Sequence, residues 1–174
     1  MTLAAIRADI ATLAADAIVD PANPSLLCGG GVDGAIHRAA GSNSRAECRT
    51  IGGCDTGDAK IAQSCRPPAR YAIHTVGPVW RDRTAGEDDL LASGYRRSLS
   101  LARDRSIGSS SFPSISTGAY GFPAERAAAV AVATVSDEIA AEPGTLTRVA
   151  FCCCDVQALS LHRAVVRRHG FAVP

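Results

Sequence analysis

Apolar and polar positions along this chain change period in a regular order. From Thr2 to Ile10 the apolar residues fall on alternate positions, as in a strand with one covered face, and Asp9 stands at its tip. Asp16-Ala17-Ile18-Val19 is short and apolar without a break, the pattern of a strand covered on both faces. A polar turn, Asp20-Pro21-Ala22-Asn23, ends it, and Gly29-Gly30-Gly31 lead into a helix read over Asp33 to Ala40. Ser44 to Ile51 reads as a second helix closed by Gly52-Gly53. Strands follow at Asp58 to Ala62, an edge, and at Arg70 to Val76, which Gly77-Pro78 halts. Between Glu87 and Arg105, Leu90, Leu91, Tyr95, Leu99 and Leu101 recur near the α-helical period. A strand over Ser110 to Ile115 then runs into the loop Ser116-Thr117-Gly118-Ala119-Tyr120-Gly121-Phe122-Pro123. Pro123 suits a first helical turn and Glu125 its dipole, and that helix reaches about Ala141 before Pro143-Gly144. Thr147 to Cys154 is the last strand and Ser160 to His169 the last helix.

Strands alternating with helices predict an α/β fold, with helices on both faces of a largely parallel sheet. In such sheets ligands sit beyond the carboxyl ends of the strands. Both glycine-containing loops leave strand ends, so both can reach one ligand. Glycine lets backbone N–H groups crowd against a ligand, and the helix behind Gly31 turns its positive end to the same place. Two such loops suit two phosphates.

Composition narrows the class. The 174 residues suit one domain over 1–174, and 47% hydrophobic with 20% charged residues describes a globular chain, not a disordered one. A net charge of +1 provides no basic field for nucleic acid, and no apolar stretch approaches membrane-spanning length. The expected setting is the cytoplasm. Seven cysteines are an odd count for a disulfide framework; Cys28, Cys48, Cys54 and Cys65 lack paired zinc-ligand spacing. Cys152-Cys153-Cys154 read as reduced thiols alternating across a buried strand.

Several blocks in register carry a resemblance. Val19 to Leu27 with Gly29 to Gly41, then Gly57-Asp58-Ala59-Lys60-Ile61, Ile73 to Pro78 and Ile115 to Pro123 resemble the signatures of macrodomains of the MacroD type. The resemblance implies a three-layer α/β/α sandwich around a mixed, mostly parallel sheet of about six strands. It further implies binding of ADP-ribose and hydrolysis of mono-ADP-ribose from acidic side chains, with O-acetyl-ADP-ribose as a second substrate. No metal, cofactor, membrane or nucleic-acid partner is implied, other than nucleic acid as an ADP-ribosylated substrate, and a monomer is expected. Carried over by position, Asp9 would accept from the adenine amine with Ile10 beside it. Gly29, Gly30, Gly31 and Val32, together with Ser116, Thr117, Gly118, Ala119 and Tyr120, would wrap the diphosphate. Asn23 and Asp33 would lie at the distal ribose under Tyr120, Asp33 orienting the attacking water and Asn23 fixing a hydroxyl.

These residue types suit that reaction. Cleaving a ribosyl ester releases a carboxylate whose parent acid has a pKa near 4, so little acid catalysis is needed. The site must hold the sugar, place a water and tolerate positive charge on the ribose, which a carboxylate does. Each candidate also has a plainer role: Asp33 as a helix N-cap, Asn23 as a turn residue, His37 in helix packing, and His74 as a core or sheet-end histidine. Two departures from the resembled pattern stand out. Asp20 replaces the usual asparagine, and as a third candidate catalytic residue it would accept a hydroxyl, hold a proton or point away, changing the pH optimum or linkage preference. Cys154 replaces an aromatic expected against the adenine. The rival readings are a non-catalytic ADP-ribose reader and a phosphatase acting on phosphorylated ADP-ribose.

Overall fold

The computed structural model describes residues 1–27, 29–63 and 68–172, with 42–45 given by backbone alone. Cys28 and Cys65 lie outside the described residues. Six strands, β1 (Thr2–Arg7), β2 (Ala17–Pro21), β3 (Ala59–Gln63), β4 (Tyr71–Thr75), β5 (Ser109–Phe112) and β6 (Arg148–Cys153), form one sheet. Their spatial order is β1-β6-β5-β2-β4-β3. Every pairing is parallel except that of the edge strand β3 with β4. Five helices, α1 (Gly31–Ala40), α2 (Ser42–Ile51), α3 (Glu87–Asp104), α4 (Ala124–Ala141) and α5 (Val156–Arg168), complete the mixed α/β sandwich that the sequence predicts.

The alternation within β2 assigns the two faces. Ala17 and Val19 join the main core with Leu91, Leu99, Val132 and Val166 of α3, α4 and α5. Ile18 turns to the other face, against Ile10 and Ile36, and farther along this face Leu26 and Cys48 pack with Val76. Asp20, two residues after Ile18, therefore points toward α1 and α2.

Several boundaries differ from the sequence reading for local reasons. The first strand stops at Arg7, because Asp9 caps a short 3₁₀ turn at Ile10–Thr12 and accepts from the Ala11 N–H at 2.9 Å. The β2 strand extends two residues further, through Asp20 and Pro21, which pair in register with His74 and Thr75. The α5 helix begins at Val156, four residues early, since Asp155 is its N-cap and accepts from the Ala158 N–H at 2.7 Å. The β5 strand ends at Phe112, three residues short of Ile115.

The order β5-β2-β4 places the ends of β2 and β5 side by side, so their two loops face each other across one opening. No helix among the described residues is long and apolar enough to cross a membrane.

Candidate functional site

A cavity of about 300 Å³ opens between these two loops. One wall is backbone-rich: Gly29, Gly30 and Gly31 with Val32, where α1 begins at an uncapped Gly30. With no side chain bonded to that helix end, its first N–H groups are turned toward the opening. The opposite wall is the loop after β5, with Ser114, Ser116, Gly118, Ala119 and Tyr120. Ser116 adopts a left-handed backbone at φ 65°, uncommon for a residue with a side chain. The loop is braced from behind, for Trp80 N–H donates to the Tyr120 carbonyl at 2.8 Å and Phe122 N–H to the Ser116 carbonyl at 3.0 Å. The hydroxyls of Ser114 and Ser116 are buried in this wall with no hydrogen-bond partner among the described residues. Orphaned hydroxyls beside bare helix N–H groups suit an anionic ligand.

Asn23 and Asp33 meet at one end of the cavity. Asn23 Oδ1 accepts from the Ser25 N–H at 3.0 Å and from its hydroxyl at 2.6 Å, so the turn role and an aimed amide nitrogen coexist. A Cβ on Gly29 would lie 2.8 Å from Asp33 Oδ2 and 3.2 Å from Asn23 Nδ2, so both side chains face the same point above this glycine. Asp33 does not cap its helix; that position belongs to Gly30, and the Asp33 carboxyl lies on the cavity wall in the first turn. Burial first, and then the like charge of Asp20, push its carboxyl up to about 7, while a Gly29 N–H and His74 pull the other way.

Of the candidate residues, the glycine loop, Val32, Asn23, Asp33, Ser116, Gly118, Ala119 and Tyr120 come together here. Four do not line the cavity. Asp9 is exposed and caps its 3₁₀ turn through Oδ1, with Ile10 buried behind it, beyond β1. Thr117 turns its hydroxyl to the Ser114 carbonyl at 3.1 Å. Asp20 is fully buried beneath the cavity, because strand alternation aims it at α1 and α2, where it meets a histidine instead of a ribose.

That histidine is His74. Its Nδ1 lies 2.8 Å from Asp20 Oδ2 and its Nε2 lies 3.5 Å from Cys48 Sγ. Burial disfavours its charge, yet the bonds to Asp20 and Cys48 prevail and lift it to about 10, making it an imidazolium at neutral pH. His37 departs from the packing role read in the sequence. Its Nε2 sits 3.2 Å from Asp33 Oδ1 and 3.8 Å from Asp20 Oδ2. Two trios offer donor atoms within 4.8 Å of one another, His37 with Cys48 and His74, and Asp20 with Asp33 and His37. Both ring nitrogens of His74 are already engaged within the protein, so the cluster stands as a polar network in its own right. The i, i+4 spacing of Asp33 and His37 could have revealed one of its contacts. Nothing local announces Cys48 or His74, which arrive from α2 and β4. Ser114 was also missed, the cavity wall beginning two residues before the loop read from sequence. Cys154 is exposed beside Asp155 and offers no stacking surface.

Comparison with known proteins identifies the family. The Macro domain-containing protein of Chlorobaculum tepidum is 54% identical over 159 residues, spanning 91% of this chain and 92% of that protein. The human ADP-ribose glycohydrolase MACROD2 is 51% identical over 147 residues, 84% of this chain but 35% of its own length. The crystal structure of the Trypanosoma brucei macrodomain in complex with ADP-ribose superposes with a TM-score of 0.88 at 38% identity, covering 94% of this chain and 68% of the other. Residues 19–131, which hold both loops, match the Macro domain family, and the chain belongs to that family.

Proposed function

We propose that this protein binds ADP-ribose and hydrolyses the ester joining mono-ADP-ribose to glutamate or aspartate side chains. The observation that carries the reading is the convergence of Asn23 and Asp33 at one end of a cavity walled by two backbone cradles. The cradles hold the diphosphate through the α1 N–H groups and the Ser114 and Ser116 hydroxyls. The distal ribose then lies at Asn23 and Asp33, beneath Tyr120. In the reaction Asn23 Nδ2 donates to a ribose hydroxyl and Asp33 accepts from the attacking water, aiming its oxygen at the anomeric carbon. The water oxygen bonds to that carbon as the carbon–carboxylate bond breaks, and the water proton passes to Asp33. The leaving carboxylate needs no strong acid, which fits a cavity with no lysine or arginine among its described lining residues. The glycohydrolase activity in the name of the human relative and the ADP-ribose in the trypanosomal structure support the same reading. O-acetyl-ADP-ribose, also an ester on the distal ribose, would be accepted by the same pocket.

The test is incubation of the protein with glutamate-linked and arginine-linked mono-ADP-ribosylated proteins, scored for released ADP-ribose, alongside calorimetry with free ADP-ribose. Release from the glutamate-linked substrate alone is expected. Binding without release would leave a reader module, release of inorganic phosphate from phosphorylated ADP-ribose would point to a phosphatase, and no binding would end the reading.

A further inference from the structure

Beneath the water-directing carboxylate lies a second one that the reaction above does not use. Asp20 is fully buried, and one of its carboxylate oxygens comes within 4.8 Å of one from Asp33 and of a His37 ring nitrogen. The groups that face this pair come from four elements: Asp20 on β2, Asp33 and His37 on α1, His74 on β4 and Cys48 on α2. Among the described residues, no lysine or arginine forms an ion pair with either carboxylate. His74 is committed to Asp20 at 2.8 Å, its ring clamped on the far side by Cys48. The His74 ring thus faces Asp20 while the His37 ring lies beside Asp33, and Asp20 Oδ1 has no hydrogen-bond partner among the described residues. Two carboxylates this close and this buried oppose each other's charge, which favours one proton held in common.

We propose that Asp20 and Asp33 work as one shared-proton unit, in which Asp20, seated by His74, is the positioning residue that decides when Asp33 is free to accept a proton from water. The inference rests on the hydrolase reading above and adds the regulation of its base. The asparagine usual at position 20 in the resembled pattern would donate to Asp33 and bring no charge, leaving an ordinary lone base. With aspartate there, the productive form of Asp33 accumulates only as the shared proton leaves, so turnover rises with pH through neutrality. The elevated pKa of Asp33, near 7, agrees with this geometry.

The experiment is a pH profile of kcat/KM on a glutamate-linked ADP-ribosylated protein for wild type and Asp20→Asn. The wild-type acidic limb should fall near neutrality, and the variant's limb should move down by about one pH unit or more. The variant would then retain about tenfold more of its own plateau rate at pH 5.5 than wild type does. Superimposable profiles from a folded variant that still binds ADP-ribose would overturn the proposal. Carboxyl-carbon NMR titration of the free wild-type protein provides a second arm, independent of catalysis and of the variant's folding. Expected there are two coupled steps, each visible at both Asp20 and Asp33. Two independent single steps would sink the shared proton, whereas coupled steps in a protein without hydrolase activity would uphold the pair and reject the hydrolase reading.

Discussion

Asp33 shows how one side chain meets two demands that local preference would treat as alternatives. It sits in the first turn of α1, where an acid complements the helix dipole, yet it leaves the capping position to Gly30 and reaches the cavity wall. Replacing it should therefore separate chemistry from binding. Asp33→Ala is expected to lower the hydrolysis rate by about 10²- to 10⁴-fold, the usual contribution of one positioned base. The affinity for ADP-ribose should change by less than about tenfold, because the cradles on both walls are intact. Parallel hydrolysis and calorimetry decide this, and retained turnover would remove Asp33 from the mechanism. The sequence made this residue legible because its whole context is local: strand, turn, glycines, acid and helix in order. Asp20 was recognisable as a departure, but where it points depends on β2 extending to Pro21 and on partners 17 and 54 positions away. No local pattern encodes such a contact. The same limit hid Cys48 beside His74, whereas the Asp155 cap was there to be read and was passed over for a later start.

At the scale of elements, the cavity depends on loops passing closely over strand ends, and three glycines test this at separate places. Gly29 is the first of these, and alanine there adds a single carbon. The added Cβ would lie 2.8 Å from Asp33 Oδ2, closer than real contacts allow, and 3.2 Å from Asn23 Nδ2, tighter than most. Gly29→Ala should thus displace both functional side chains and cut hydrolysis by at least about tenfold, while thermal unfolding moves by no more than a few degrees. Full activity in that variant would show that the two side chains need not meet over Gly29. Gly77, just past β4, is the contrasting case. A Cβ there would overlap Ser116 Oγ and lie 2.6 Å from Ile115 Cγ2, in the loop after β5. Since Ile115 is a core residue, this overlap is resisted by packing, and Gly77→Ala should cost about 1–3 kcal/mol as well as ligand affinity. Chemical denaturation with calorimetry on the same sample measures both. A Cβ on Gly94 of α3 would lie 2.8 Å from Thr75 Oγ1, so glycine there lets that helix lie close to β4.

The molecule as a whole keeps a charged network inside a small sheet protein, and its stability should carry that signature against pH. The folded state holds the Asp33 proton up to about 7, whereas the unfolded chain releases it near its ordinary value of 3.8. Between those values the native state binds more protons than the unfolded state, so stability falls as pH rises. His74 acts with the same sign at higher pH, holding its proton to about 10 against an ordinary value of 6.5. Its stabilisation is whole below pH 6.5 and is lost on the way to pH 10. The opposite sign belongs to His162, whose charged form burial disfavours and whose effect ends at 6.5, and to Asp16, Asp58 and Asp155, whose lowered carboxyls weaken the fold only under strong acid. The melting temperature should therefore decline steadily from about pH 5 to pH 9, rather than hold the neutral plateau common in globular proteins. The buried thiols of Cys54, Cys152 and Cys153, all pushed upward by burial, add to the decline only above that range. Asp33→Asn isolates the lower part of the curve, since it removes the titration between 3.8 and 7 and leaves that of His74 in place. Thermal scans should then no longer fall below about pH 6.5, where the buried His162 acts in the other direction, and should fall beyond it. A wild-type curve level from pH 5 to 9 would mean that the cluster under the cavity exchanges its protons as if it stood in water.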